Sequence, residues 1–153
     1  MQLTSTVGKG TTATLLLPVA TAVPEDDSPA QKSQKVNRSA VILFVDDDPL
    51  IAMSTTEMLE DLGHRVIGAN SGPHALDIIR SEQPIDLMMT DHVMPGMTGI
   101  ELAAASREVR PSLPILLATG YADLPDGVQV ALPRLAKPYH QDQLRDRLEQ
   151  LLR

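Results

Sequence analysis

The sequence contains no cysteine and no tryptophan, and it has only one phenylalanine and two tyrosines. Without cysteine the chain can form neither disulfides nor thiolate-ligated zinc sites. With so few aromatic rings it also lacks the stacking platforms that bind single-stranded nucleic acids. The net charge of −7 opposes contact with a phosphate backbone. We therefore expect no nucleic-acid partner.

Long apolar runs are also missing from the sequence. The longest one near the N-terminus, residues 15–23, contains Pro18 and falls well short of the roughly 20 residues that a membrane-spanning helix needs. No apolar segment follows directly on a basic cluster, as it does in a signal peptide. These absences predict a cytoplasmic protein without direct membrane contact.

Short apolar runs and helix-like segments alternate from Val41 to the end of the chain. Hydrophobic residues make up 42% of the sequence, which is enough for one domain with an aliphatic core. Near-continuous apolar strands that alternate with helices are typical of an α/β fold, with a doubly wound parallel sheet covered on both faces. Strands are predicted at 41–45, 65–69, 85–90, 115–119 and 134–136.

Capping residues and helical spacing indicate the intervening helices. The first helix begins near Pro49, and its apolar residues recur at helical spacing, namely Ile51, Met58, Leu59 and Leu62. Ser71 is predicted to cap the second helix. The other predicted helices are 98–109, a loose one at 126–131 and a last one from about residue 141.

The N-terminal region has a different character. Residues 2–7 and 11–17 are β-prone and flank Gly8-Lys-Gly10, which predicts a β-hairpin with nothing to pack against. A Gly-x-Gly loop can bind phosphate through backbone N–H groups, although it is more often a plain turn. Residues 19–39 are rich in polar residues and proline and predict a flexible linker.

Polar side chains stand at or just after the C-terminal ends of four predicted strands, namely Asp46 and Asp47, Asp91, Thr119 and Lys137. The carboxyl ends of strands meet at one crevice in such a sheet. Clustered carboxylates repel one another unless a cation separates them, and oxygen ligands suit Mg²⁺. A lysine and a hydroxyl beside the metal would neutralise phosphoryl oxygens. Asp91, alone at the tip of the central strand, is the predicted nucleophile that forms an aspartyl phosphate.

Each of these residues also has a simpler explanation. Asp46-Asp47-Asp48 could be a solvated helix N-terminus, which the helix dipole favours. Lys137 could be a surface lysine, and Asp91 could only cap the next turn. The functional interpretation therefore depends on all four strand ends meeting in space.

Four motifs carry these residues: Val45-Asp-Asp-Asp-Pro49, Thr90-Asp-His-Val-Met-Pro-Gly-Met-Thr-Gly99, Ala118-Thr-Gly-Tyr121 and Lys137-Pro138. Together they make residues 40–153 resemble a response-regulator receiver domain. The resemblance implies a flavodoxin-like fold, with a five-stranded sheet in the order 2-1-3-4-5. It also implies a cis peptide bond between Lys137 and Pro138.

The resemblance further implies a role for each site residue and a place in a two-component phosphorelay. Asp91 would accept a phosphoryl group from a phosphohistidine on a histidine kinase or a histidine phosphotransfer protein. Thr119 and Lys137 would contact the phosphoryl oxygens, and a homodimer is left open. Mg²⁺ would be bound by Asp46, Asp47, Asp91 and the main-chain carbonyl of Val93.

Residues 7–18, Val-Gly-Lys-Gly-Thr-Thr-Ala-Thr-Leu-Leu-Leu-Pro, resemble the last glycine box and final strand of a histidine-kinase ATP-binding domain. Residues 1–18 would then be a remnant of such a domain, and Met1 need not be a true start. The other boxes of that domain are missing, so we expect no ATP binding by this chain. The sequence thus predicts the C-terminal part of a hybrid histidine kinase. The alternative is a free-standing response regulator that binds partners when phosphorylated.

Two positions depart from the common receiver pattern. Receivers of the switching type carry an aromatic residue three positions before the lysine, where this chain has Arg134. We hypothesise that Tyr121 takes over part of that role. His92 is expected to point away from the pocket, because neighbours in an extended segment face opposite sides. The alternative for His92 is a metal ligand.

Overall fold

The computed structural model describes residues 2–8, 10–14, 39–120 and 132–152. The chain divides into two units, Met1–Lys35 and Val36–Arg153. Residues 19–38 of the predicted linker, the loose helix at 126–131 and Tyr121 lie outside the described residues. No helix within the described ranges is both long enough and apolar enough to cross a membrane.

The first unit contains the predicted β-hairpin, formed by antiparallel strands β1 (Gln2–Thr6) and β2 (Gly10–Thr14). Gly8 and Gly10 have positive φ angles of 78° and 99° at the turn, which glycine adopts without strain. All of β2 is exposed, and so is Leu3 on β1. The hairpin therefore buries almost nothing by itself.

The second unit is built on a five-stranded parallel sheet in the order β4-β3-β5-β6-β7. Counted within this unit, the order is 2-1-3-4-5, which confirms the predicted flavodoxin-like topology. The strands are β3 (Val41–Val45), β4 (Arg65–Ala69), β5 (Leu87–Asp91), β6 (Ile115–Thr119) and β7 (Arg134–Ala136).

Four of these strands have the predicted bounds, and the strand predicted at 85–90 is shifted. It runs from Leu87 to Asp91 because Asp86 ends the preceding loop by bonding to Val41. The Asp86 N–H donates to the Val41 carbonyl at 2.8 Å, and the Asp86 side chain accepts the Val41 N–H at 2.7 Å. Asp91 is therefore the last residue of the strand and pairs with Ala118.

Four helices cover the sheet in the described ranges: α1 (Pro49–Asp61), α2 (Gly72–Arg80), α3 (Gly99–Val109) and α4 (Gln141–Leu151). Thr98 and Glu101 form a capping box at the start of α3. Ser71 lies at the N-cap of α2, as predicted, but its side chain makes no capping hydrogen bond. Its hydroxyl donates to the Asn70 side chain instead.

The core has two layers, one on each face of the sheet. Leu43, Val45 and Met88 face α2 and α3, whereas their neighbours Phe44 and Met89 belong to the cluster under α1 and α4. This burial on both faces explains the near-continuous apolar strands. Leu59 is buried on α1 as predicted, but Ile51 is 38% exposed. The first turn of α1 lies at the carboxyl edge of the sheet and borders a groove.

The peptide bond between Lys137 and Pro138 is cis, as predicted. It lies in the segment that connects β7 to α4.

His64 predicts a pH dependence of stability. It is half-buried between α1 and β4, and its Nδ1 accepts the Ala40 N–H at 3.3 Å. Burial lowers the pKa of His64 below its ordinary value of 6.5. The unfolded chain therefore binds this proton more readily than the folded chain. The His64 contribution is complete above about pH 6.5 and is lost as the pH falls through the lowered folded pKa.

This expectation is checked by urea unfolding of the wild type and of His64→Gln, with chelator present, from about pH 7.5 to about pH 5.5. Glutamine can still accept the Ala40 N–H but does not titrate. The variant should lose less stability on acidification than the wild type. Equal losses in both proteins would contradict the assignment.

Candidate functional site

Three of the predicted acids meet at the carboxyl edge of the sheet. One carboxylate oxygen from each of Asp46, Asp47 and Asp91 lies within 4.8 Å of the other two. Asp46 and Asp47 follow β3, and Asp91 ends β5, which pairs directly with β3. The strand order thus brings together residues that are 45 positions apart in the chain.

The three consecutive aspartates after β3 have separate surroundings. Asp46 is 2% exposed, and its Oδ1 accepts the Asp48 N–H at 3.0 Å. Asp47 is exposed and turns one oxygen toward the acidic cluster. Asp48 caps α1 by accepting the N–H groups of Leu50 and Ile51. The explanation as a helix N-terminus therefore applies to Asp48, and Asp46 and Asp47 belong to the site.

Lys137 connects the two buried carboxylates. Its Nζ lies 2.8 Å from Asp91 Oδ1 and 3.1 Å from Asp46 Oδ2. Its backbone N–H donates to the Thr119 carbonyl at 2.8 Å, which anchors the residue beside β6. The alternative of an ordinary surface lysine is excluded, because the side chain is only 21% exposed and is paired twice.

The electrostatics of the site follow from this pairing. Burial raises the pKa of Asp46, and the charge of Asp91 adds to the effect, whereas the Asp48 N–H and Lys137 oppose it. Burial also lowers the pKa of Lys137, but its hydrogen bonds to Asp91 and Asp46 outweigh this, so the net pKa is raised. Lys137 therefore stays an ammonium group. With the three acids ionised, it leaves an excess of two negative charges.

This donor set fits Mg²⁺. It offers only oxygens, it supplies few protein ligands, and one divalent cation would neutralise its two excess negative charges. Mg²⁺ binds in proteins through one or two carboxylates and keeps several waters, and the exposed Asp47 leaves the cluster open to solvent.

Thr119 and Val93, the remaining predicted site residues, lie on neighbouring segments. Thr119 ends β6, is 6% exposed and follows Ala118, which pairs with Asp91. Val93 is 58% exposed in the loop that follows β5. This loop is held tightly, because the Gly99 N–H donates to the His92 carbonyl at 2.9 Å. A Cβ atom at Gly99 would collide with the Asp91 carbonyl oxygen.

His92 is buried beside Asp91 but is not part of the acidic group. It is 8% exposed, and its Nδ1 has no hydrogen-bond partner in the described part of the chain. The cluster of possible metal ligands among the described residues contains only the three aspartates. The direction in which the His92 ring points stays a prediction.

Two features next to the site gave no signal in the sequence. The Thr55 hydroxyl on α1 lies 3.0 Å from the Tyr139 hydroxyl, two residues beyond Lys137. A threonine in a helix and a tyrosine near a lysine are individually unremarkable. A groove of about 510 Å³ also opens beside Lys137. It is lined by Leu50, Ile51, Ser54, Thr55, Met58, Lys137, Pro138 and Tyr139.

The sequence profile of the response regulator receiver domain matches residues 42–149. The chain belongs to this family. The response regulator receiver protein CpdR of Brucella abortus is 35% identical over 115 residues, covering 72% of this chain and 95% of CpdR. The chemotaxis protein CheY4 of Vibrio cholerae superposes with a TM-score of 0.67 at 30% identity, covering 75% of this chain and all of the CheY4 chain.

A longer relative matches nearly the whole chain. The sensor kinase CckA of Brucella abortus is 32% identical over 163 aligned positions, which cover 97% of this chain. The chain spans only 17% of the length of that kinase. The receiver is therefore similar both to separate receivers and to a part of a sensor kinase.

The acidic cluster predicts Mg²⁺-dependent stability of the receiver. A cation that binds only the folded site raises the melting temperature by mass action. The gain is about 1.4 kcal/mol at a concentration tenfold above the dissociation constant. Asp47→Asn should raise the dissociation constant for Mg²⁺ about tenfold, because it removes the exposed carboxylate ligand and leaves Lys137 paired. Thermal unfolding against Mg²⁺ concentration measures both.

Asp77→Asn is the matched control, since Asp77 is an exposed acid on α2 that pairs only loosely with Arg80, at 3.6 Å. It should respond to Mg²⁺ like the wild type. A response that Asp47→Asn leaves unchanged would place the cation away from this cluster.

Proposed function

We propose that this receiver domain accepts a phosphoryl group from a phosphohistidine onto Asp91, with Mg²⁺, as a step of a two-component phosphorelay. The observation that carries the proposal is the double ion pair of Lys137 with Asp91 and Asp46, beside the exposed Asp47. It supports the proposal because a candidate nucleophile, an ammonium group and a cluster of carboxylates that suits a divalent cation lie together at one edge of the sheet. Membership of the receiver family supports the same chemistry.

Each residue then has a defined task in the transfer. An Asp91 carboxylate oxygen attacks phosphorus, the P–N bond of the phosphohistidine breaks, and the imidazole leaves with the bonding electron pair. Lys137 moves from Asp91 Oδ1 to a phosphoryl oxygen, and the Thr119 hydroxyl donates to another. Asp46, Asp47, Asp91 and the Val93 carbonyl would hold Mg²⁺, whose charge offsets that of the phosphoryl oxygens.

The receiver promotes its own phosphorylation but does not turn over an external substrate. An aspartyl-phosphate phosphatase would need a proton donor for the leaving alcohol near the nucleophile. Val93, two residues after Asp91, has no proton to donate. This feature favours the acceptor over the phosphatase.

Intact-mass measurement tests the proposal directly. Incubation with acetyl phosphate and Mg²⁺ should add one phosphoryl group to the wild type and none to Asp91→Asn or to a chelator-treated sample. Asp86→Asn is the matched control, because Asp86 precedes the other end of the same strand. It should be modified like the wild type. A phosphoryl adduct on Asp91→Asn, or none on the wild type, would overturn the proposal.

We also propose that the chain is the C-terminal part of a hybrid histidine kinase, with residues 1–18 as the remnant of its ATP-binding domain, 19–39 as a linker and 40–153 as the receiver. The 97% coverage by the sensor kinase CckA supports this, because such a match must extend into residues 1–38. The match to CpdR covers 72%. An in-frame kinase core in the DNA upstream of the Met1 codon would support the hybrid, and its absence would favour a free-standing cytoplasmic regulator.

The exposed apolar side chains of α1 support a protein phosphodonor. Leu50 is 72% exposed and Met53 is 61% exposed, although apolar groups gain free energy on burial. Leu50 and Ile51 line the groove that contains Lys137. A donor protein whose phosphohistidine reaches Asp91 must cover the rim of this groove, which the first turn of α1 forms. We therefore assign the first turn of α1 as the docking surface for the histidine kinase or the histidine phosphotransfer protein.

Leu50→Ser should slow transfer from a phosphorylated histidine phosphotransfer protein by about tenfold, because it removes an apolar anchor from the interface. The rate with acetyl phosphate should stay unchanged, since this small donor does not cover the rim. Val109→Ser is the matched control, because Val109 is 41% exposed at the far end of α3. It should affect neither rate. Equal slowing of both reactions by Leu50→Ser would show damage to the site instead of to docking.

A further inference from the structure

The hydrogen bond between Thr55 and Tyr139 lies beside the acidic cluster and joins distant parts of the chain. The two hydroxyl oxygens are 3.0 Å apart and belong to residues 84 positions apart. Thr55 is 3% exposed in the second turn of α1. Tyr139 follows Lys137 and Pro138 in the segment before α4. The bond therefore connects the helix that begins next to Asp46 with the segment that carries Lys137.

The segments on either side of this bond hold the opposite charges of the site. α1 starts at Pro49 directly after its cap, Asp48, whose N–H also binds Asp46 Oδ1. The position of α1 therefore fixes Asp46. On the other side, Lys137 reaches both Asp46 and Asp91 through a long side chain with several rotatable bonds. Such a side chain is placed only as well as the backbone that carries it.

We propose that the Thr55–Tyr139 hydrogen bond keeps the Lys137 ammonium group at the right position relative to Asp46 and Asp91. Thr55 and Tyr139 are then positioning residues for phosphoryl transfer. The inference rests on the function proposed above. Neither residue touches the reacting atoms. Both act through the placement of the Lys137 ammonium relative to the carboxylates.

The surroundings of Tyr139 separate this role from packing. Its ring packs against the core cluster under α1 and α4, and a phenylalanine ring would fill the same space. Burial raises the pKa of Tyr139, so the hydroxyl stays protonated and serves as a neutral hydrogen-bonding group. Tyr139 and Thr55 line the same groove as Lys137, so the hydrogen bond lies near the site. A second hydrogen bond in this region, from the Gln141 side chain on α4 to the Met58 carbonyl on α1, is long at 3.5 Å.

The test is the rate of phosphorylation by acetyl phosphate at saturating Mg²⁺ for Tyr139→Phe, Thr55→Val and the double variant. Misplacement of a catalytic group by about 1 Å can cost up to a hundredfold in rate. We expect the single variants to react about three- to tenfold more slowly. The double variant should be no slower than the slower single variant, because both changes remove the same bond. The Mg²⁺ dissociation constant should stay within about twofold, since Asp46 and Asp47 keep their backbone positions.

Ser106→Ala is the matched control. Ser106 is a fully buried hydroxyl on α3, on the other face of the sheet, and it donates to the Leu102 carbonyl at 2.6 Å. This variant also loses a buried hydrogen bond of a hydroxyl group, but it should react at the wild-type rate. Equal slowing by Ser106→Ala, additive effects of the two site variants, or a wild-type rate in Tyr139→Phe would each overturn the inference.

A second measurement does not depend on phosphoryl transfer. The NMR signal of the Lys137 Cε group, assigned by its loss in Lys137→Arg, should shift in Tyr139→Phe and stay in place in Ser106→Ala. An unreactive wild type would overturn the proposed function alone, and the Lys137 signal would still decide the positioning role. An unmoved signal in Tyr139→Phe would overturn the positioning role.

Discussion

The structure at the carboxyl edge of the sheet depends on the attraction between the Lys137 ammonium group and the carboxylates of the acidic cluster. Asp46 and Asp91 are nearly buried, and the desolvation of carboxylates is costly unless an opposite charge is close. Lys137 supplies that charge to both of them at once. Its own backbone N–H donates to the Thr119 carbonyl, which anchors it beside β6. The loops at this edge of the sheet are therefore constrained by the need to bring one lysine to two acids.

The sheet explains why the site and the groove share one edge. Parallel strands place all their carboxyl ends on the same side, so the loops that leave them converge there. The first turn of α1 is one of these connections, and it exposes apolar side chains within the same groove as Lys137. The same topology thus assembles the chemistry and the surface that a protein donor would meet.

Much of this arrangement could be predicted from the sequence, because its signals are local. The apolar strands, the breaks after them and the polar residues at their ends can be read within a few positions. The strand order came from the motifs and not from periodicity. The sequence pattern could not show that Asp48 caps α1 while Asp46 and Asp47 belong to the acidic cluster. The three side chains are identical, and their roles depend on where the backbone turns into the helix. Ile51 and Leu59 share one helical face, but only Leu59 reaches the core, because α1 starts at the edge of the sheet. The Thr55–Tyr139 bond has no local signature at all.

The short strand β7 has a consequence for the behaviour of this domain in concentrated solution. An open sheet exposes unpaired N–H and C=O groups along its outer strands, and these can recruit strands from other molecules into aggregates. β7 contains only three residues and begins with Arg134, so it offers a small and charged template. At the opposite margin, β4 begins with the exposed Arg65 and contains Gly68, and glycine weakens strand pairing. Both outer strands are therefore poor templates for unwanted sheet extension.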